Sequence, residues 1–135
     1  MWTYVQRTGE LLHDGTHEAF GYSGYDNPDT AQDGKNNPDL QSVREIGPIP
    51  VGSYVIQSPE DTVTHGPFVL PLVPNPDNQM FGRSCFLIHG DSVLKPGTAS
   101  RGCIILAREI RNDISLSADS RLEVVSGEST DTRLV

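Results

Sequence analysis

The sequence predicts a mainly β domain, β-rich α+β, with one main helix. Thirteen glycines and ten prolines among 135 residues impose many turns. Between those turns, short runs alternate apolar and polar residues, as half-buried strands do. Only residues 106–116 repeat apolar residues at helical spacing, through Ala107, Ile110 and Ile114. At 36% hydrophobic content the chain can bury a real core, and it reads as one domain over 1–126 with a polar tail over 127–135.

In chain order, Trp2, Tyr4 and Gln6 share one face of a first strand, and Thr3 and Val5 the other. Thr8-Gly9 turns the chain, residues 10–13 make a short strand, and Asp14-Gly15 is a hairpin signal before a strand over 16–22. His13 and His17 flank that hairpin as surface residues. Residues 23–39, dense in Gly, Asn, Asp and Pro, read as a functional loop, because uncovered loops of this length are uncommon in compact domains. Asn37 then caps a short helix with Pro38 in its first turn, ending before Gly47.

Gly47-Pro-Ile-Pro-Val-Gly52 is stiff backbone leading into a strand over 53–57, where Tyr54 and Ile56 alternate with Val55. His65 falls on an expected loop. Residues 68–73 form another strand, which Pro71 assigns to an edge. Residues 84–89 make the central strand, with Cys85, Leu87 and His89 on one face. The helix over 106–116 follows, and residues 121–125 close the domain as a last strand.

Charge and composition narrow the function. The formal charge is −8, with 18 acidic residues against 10 basic, and only Lys35 and Lys95 are lysines. An acidic chain without a basic run argues against a nucleic-acid partner. No apolar stretch approaches membrane-spanning length, so no membrane insertion is expected. The first residues lack the layout of a secretory signal, so the chain is expected to be made in the cytoplasm without one. Two cysteines argue against a disulfide framework.

Chemistry concentrates in Phe86-Leu-Ile-His89-Gly-Asp-Ser, a loop containing Pro96 and Gly97, and Ser100-Arg-Gly-Cys103-Ile-Ile. An apolar strand delivers a histidine at its end, and fourteen positions later a cysteine stands between a glycine and an apolar run. A thiol attacks carbonyls well as the thiolate, and a nearby imidazole is the usual way to generate one. The Ser-Arg-Gly-Cys turn offers successive backbone N–H groups beside the sulfur, suited to an oxyanion. Taken singly, Cys103 and His89 also fit packing roles, since free cysteine is among the most buried residue types. One Cys and one His at this spacing lack the paired element that fixes a zinc site, so neither metal nor cofactor is expected.

His-Gly, a loop, then Ser-x-Gly-Cys resembles the active-site signature of YkuD-like L,D-transpeptidases. Within that superfamily the chain looks like the type VI secretion L,D-transpeptidase effectors. The resemblance rests on Gly34-Lys-Asn-Asn-Pro-Asp39, Ile46-Gly-Pro-Ile-Pro-Val-Gly52, Gly66-Pro-Phe-Val-Leu-Pro71, Met80-Phe-Gly-Arg-Ser84, Phe86-Leu-Ile-His-Gly-Asp-Ser92 and Ala99-Ser-Arg-Gly-Cys-Ile-Ile105. It spans roughly residues 2–125. Arg101 stands where the superfamily has a second histidine, which leaves His89 as base, and Cys85 stands where a small residue such as glycine is expected.

The resemblance implies a sandwich or barrel-like fold with its main helix after the cysteine. It also implies acyl transfer on the tetrapeptide stems of peptidoglycan, as L,D-carboxypeptidase or L,D-transpeptidase, in the periplasm of a target bacterium. Cys103 would be the nucleophile, His89 the base and Gly90 the carbonyl that orients it. Backbone N–H groups of Gly102, Cys103 and Arg101 would hold the oxyanion. Asp91, Ser92, Ser100 and Arg83 would shape the substrate site, with Arg83 equally an ordinary surface or salt-bridged residue. A cognate immunity protein and a secretion apparatus are the implied partners. Two alternatives stay open: a non-catalytic wall-binding module of the same fold, and a Cys–His endopeptidase. Papain-like endopeptidases place Cys before His, and here the order is reversed.

Overall fold

The computed structural model describes residues 1–127. Its strands are β1 (Trp2–Val5), β2 (Glu10–His13), β3 (Thr16–Phe20), β4 (Tyr22–Ser23), β5 (Asp26–Asn27), β6 (Gln32–Asp33), β7 (Gly52–Ile56), β8 (Glu60–Thr62), β9 (Gly66–Pro74), β10 (Leu87–His89), β11 (Ile104–Ile105) and β12 (Arg121–Val125). The helix α1 spans Arg108–Leu116, and Pro38–Leu40 is one 3₁₀ turn. The fold is mainly β with one helix, as the sequence predicts, and its sheet is mixed.

The main sheet runs β3-β2-β1-β12-β7-β9-β10-β11-β4, with β8 beside β9, while β5 and β6 form a separate hairpin. The β1–β12 and β10–β11 pairs are parallel. Only Gly21 separates β3 from β4, yet these strands end opposite edges of the sheet. The sheet must therefore curl until its edges nearly meet. Gly21 fits that approach because a Cβ there would stand 2.1 Å from the Ile105 carbonyl oxygen. Its N–H donates to the Gly9 carbonyl (2.8 Å). The expected single strand over 16–22 is thus broken at Gly21.

One hydrophobic cluster fills the interior. It takes Trp2, Tyr4 and Leu11 from one wing, Ile88 and Ile104 from the other, and Leu122 and Val124 between them. Burial of Trp2, Tyr4 and Gln6 follows the period-two reading, as does that of Tyr54 and Ile56 against exposed Val55.

Several expectations are corrected. Pro71 does not mark an edge: β9 lies inside the sheet, pairing β7 through Leu72–Pro74 and β10 through Leu70 and Pro71. The Pro71 carbonyl accepts from the Gln57 N–H (2.8 Å), on the side where β7 has ended and β8 not yet begun. A missing N–H costs nothing in that gap. The strand over 84–89 starts only at Leu87, because Cys85 has φ +65° and cannot continue it. The helix starts two residues later than expected; Leu106 is buried and Ala107 is an exposed N-cap. His13 is more than a surface residue, stacking on Trp2 (3.9 Å) and bonding Asp119 (2.9 Å). The 23–39 loop carries the small β5–β6 hairpin, and Asn37 caps the 3₁₀ turn at the Asp39 N–H (3.1 Å). Most of the expected tail, from residue 128 on, lies outside the described residues.

Candidate active site

The site is built where β10 ends and β11 begins. Parallel pairing sets Ile88 opposite Ile104 and His89 opposite Ile105. One step back, Cys103 falls beside Leu87, whose backbone N–H favours the thiolate. His89 lies two residues further along β10 than Leu87, roughly 6.6 Å of strand rise. Period-two alternation puts His89 on the face of Leu87. Cys103, one residue before β11 begins, and His89, at the end of β10, are therefore set diagonally across this strand pair. Among the described residues no hydrogen bond joins them.

His89 is 3% exposed, and its Nδ1 lies 2.9 Å from the Gly90 carbonyl oxygen. A carbonyl only accepts, so Nδ1 carries the proton and Nε2 is left as the basic nitrogen of the neutral ring. Burial chiefly holds the His89 pKa below its ordinary value; His65 and Arg111 add to that, while the Gly90 carbonyl and Asp91 oppose it.

Burial also governs Cys103, pushing its thiol up to about 11, against the Leu87 N–H and the Arg83 charge, which favour the thiolate. At rest the pair is thiol and neutral imidazole, without the ion pair of a preactivated thiolate. Attack in such a site needs proton removal as the bond forms, which is general-base chemistry. Hydrogen bonds of this kind often tighten only when substrate is bound.

The turn carrying Cys103 is tied from inside. Ser100 is fully buried; its hydroxyl donates to the Cys103 carbonyl (2.6 Å) and accepts from the N–H groups of Gly24 (2.9 Å) and Gly102 (3.0 Å). Ser100 therefore braces the turn from within, and the Gly102 N–H is engaged in the resting structure. Gly102 has φ +131°, and a Cβ there would stand 2.5 Å from Arg83 Nη2 and 2.8 Å from Phe86. Only glycine fits that turn. Arg83, 6% exposed, donates to the carbonyls of Gln41, Gly47, Pro48 and Arg101. It is buried, and no carboxylate pairs with it among the described residues, so neither the surface nor the salt-bridged alternative holds.

Two clefts adjoin here. Cys103 lines one of about 400 Å³ together with Arg44, Arg83, Arg101, Cys85 and His65. His89 lines the other with Gly90, Asp91, Ser92, Thr98 and His65. Three arginines against Glu45 make the first cleft locally positive within an acidic chain. Arg101 is exposed, its guanidinium 4.0 Å from the centre of the Tyr25 ring. In the second cleft Asp91 accepts from Tyr22 Oη (2.6 Å) and from the Ser92 and Gly97 N–H groups, clasping the 91–97 loop. Ser92 accepts from the Lys95 N–H (3.0 Å).

Sequence reading missed Arg44, His65, Tyr22 and Arg111. Their contacts come from distant segments, and no local motif marks them. A cluster of His13, Asp14 and Asp119 could offer metal ligands, but it lies apart from Cys103 and His89.

This architecture is that of a small, curled, mainly β domain with a thiol just before one strand and an imidazole at the end of the parallel strand beside it. The family model of the Tlde1 domain matches residues 17–127, and the chain belongs to that family, a type VI effector family of L,D-transpeptidase-like domains. Neither the curated proteins nor the solved structures contain a match. Among the described residues no helix is long and apolar enough to cross a membrane.

Proposed function

We propose that the protein is a peptidoglycan-modifying antibacterial effector of the YkuD-like kind, working by cysteine-dependent acyl transfer on tetrapeptide stems. The observation that carries this reading is the β10–β11 pairing, which sets Cys103 beside the strand that ends in a Gly90-anchored imidazole. The Tlde1 match and the positive cleft around the thiol support it, since stem peptides carry carboxylates.

In the first half-reaction Cys103 Sγ bonds to the carbonyl carbon of meso-diaminopimelate as His89 Nε2 takes the thiol proton. The oxyanion collapses, the bond to the terminal D-alanine breaks, and His89 returns the proton to the leaving amine. A thioester remains. Water then gives a carboxypeptidase product, a free D-amino acid gives exchange, and a second stem gives a cross-link. Backbone N–H groups of Arg101 and Cys103 are the oxyanion donors, joined by that of Gly102 once Ser100 releases it. Arg83 contributes charge to the cleft, with its fork held by backbone carbonyls, while Asp91 and Ser92 shape the floor of the second cleft. Action in the periplasm of a target cell, delivery by a secretion apparatus and neutralisation by an immunity protein accompany the reading.

Mass spectrometry of muropeptides tests it. Native protein is expected to remove, exchange or cross-link at the terminal D-alanine, and folded Cys103→Ala is expected to do none of these. Retained D-alanine release by that variant would sink the nucleophile assignment. Wall binding without any mass change would favour the non-catalytic module.

A further inference from the structure

The imidazole that meets both clefts is not His89. His65 lines the cleft of Cys103 and the cleft of His89, and its ring centroid stands 4.7 Å from that of His89 at an interplanar angle of 51°. It sits at the tip of the β8–β9 hairpin, a part of the chain remote in sequence from both strands of the site. The tip is fixed locally: the His65 N–H donates to Thr62 Oγ1 (2.9 Å), and His65 Nδ1 lies 2.9 Å from Thr64 Oγ1. The hairpin is fixed globally by Arg111 of α1, which donates to the carbonyls of Pro67 (3.2 Å) and Phe68 (2.9 Å). Arg111 Nη2 also packs close to Gly90, 2.8 Å from where a Cβ there would stand. One buried guanidinium thus braces the hairpin that carries His65 and lies against the residue whose carbonyl orients His89.

We propose that His65 is a positioning residue for the acyl-transfer base, its ring forming the wall between the two clefts and holding the His89 imidazole in place. This inference rests on the acyl-transfer reading and adds to it a residue from a different part of the chain. Its consequence reaches proton chemistry because the wall also keeps water from His89. The ionisable groups around His89 are His65 from the hairpin, Arg111 from α1 and Asp91 from the loop after β10, with Cys103 at the diagonal position before β11. Removing the His65 ring hydrates His89 and deletes a neighbour that opposes its protonation. Both changes make His89 easier to protonate, so the base is lost at a higher pH.

The test compares His65→Ala and His65→Phe with the native protein. In His65→Ala the acid limb of the D-alanine-release profile should move up by roughly half to one pH unit, with a loss that grows to about three- to tenfold on the acid side of the limb and largely disappears at pH 9. His65→Phe keeps a ring as the wall and removes only the charged neighbour, so its limb should move clearly less than that of His65→Ala. A second measurement needs no substrate: NMR titration of the His89 ring should show its midpoint rising in folded His65→Ala and rising clearly less in His65→Phe. An unmoved His89 titration, or a loss equal at every pH, overturns the proposal. If native protein releases no D-alanine, the acyl-transfer reading fails, and a moved titration would still support the hold of His65 on His89.

Discussion

Arg83 holds Arg101 by its carbonyl: Nη2 of the buried guanidinium lies 3.2 Å from the oxygen that begins the Gly102-Cys103 turn. The same guanidinium donates to Gln41 (2.6 Å), Pro48 (2.8 Å) and Gly47 (2.9 Å). One planar fork thereby locks the proline-rich segment before β7 to the nucleophile turn. Arg83→Met would strand several buried carbonyls and should lower stability by about 3 kcal/mol or more, at roughly 1–3 kcal/mol for each unsatisfied group. Arg83→Lys should recover little, because an ammonium cannot reproduce the fork. Urea unfolding midpoints check both.

Gly102→Ala should be as damaging as loss of the nucleophile. Its φ of +131° and the 2.5 Å approach to Arg83 Nη2 leave no place for a methyl group. D-alanine release should fall to background with circular dichroism still that of a β protein. Near-native activity would show that the turn can move.

Cys85 invites the opposite change. Its φ of +65° costs an L-residue on the order of 1 kcal/mol, and the side chain is exposed. Cys85→Gly should therefore leave activity unchanged and raise the unfolding free energy by about 0.5 kcal/mol, the strain relief less the entropy that glycine costs. A drop in stability would mean that the Cys85 side chain is held by contacts.

His89→Ala should slow acylation by on the order of 10²–10⁴-fold, the usual worth of positioned proton transfer. Single-turnover measurement of thioester formation reads this step directly.

The pH dependence follows from two opposite shifts. Burial depresses the His89 pKa from its ordinary value, so the ring stays a neutral base to lower pH than a free imidazole does, and the acid limb of the rate should lie below the ordinary histidine value of about 6.5. The Cys103 thiol, pushed up to about 11, stays protonated through neutrality, so alkylation of Cys103 should keep rising with pH past 9. Exposed Cys85 should take iodoacetamide first in substrate-free protein. That reverses the order expected from a His-activated thiolate, and peptide mapping after brief labelling decides it. The His89 shift also sets a stability slope. The unfolded ring gains its proton near pH 6.5 while the folded ring resists, so stability is full above that pH and declines as pH falls through it.

Much of this was legible in the residues, and the remainder was not for definable reasons. The first hairpin, the Asn37 cap, the alternation around Tyr54 and the closing strand are short-range signals, and each element lies within a residue or two of its expected place. His89 and Cys103 declared themselves by their neighbours in sequence. What stayed hidden depends on distant contact. Pro71 reads as an edge residue until the gap between β7 and β8 is known to lie opposite it. The break at Gly21 is dictated by the Ile105 carbonyl, 84 positions away. His65 in a Thr-His-Gly turn looks like any polar tip, and its tilted ring contact with His89 exists only once β9 has brought the hairpin over β10.

The pairing of the first strand with the last has a consequence for synthesis. Trp2 lies opposite Leu122 and Val5 opposite Val125, so the inner neighbour of β1 is the final stretch of the domain to be made. A nascent chain lacking β12 has β1 and β2 as a hairpin whose Trp2, Tyr4 and Leu11 have lost part of their cover. Closing a loop of roughly 120 residues in parallel register is slow, because its entropy must be lost before any ladder bond forms. Folding is therefore completed after the ribosome has released residue 125, and every half-built intermediate exposes an aromatic strand that chaperones can bind.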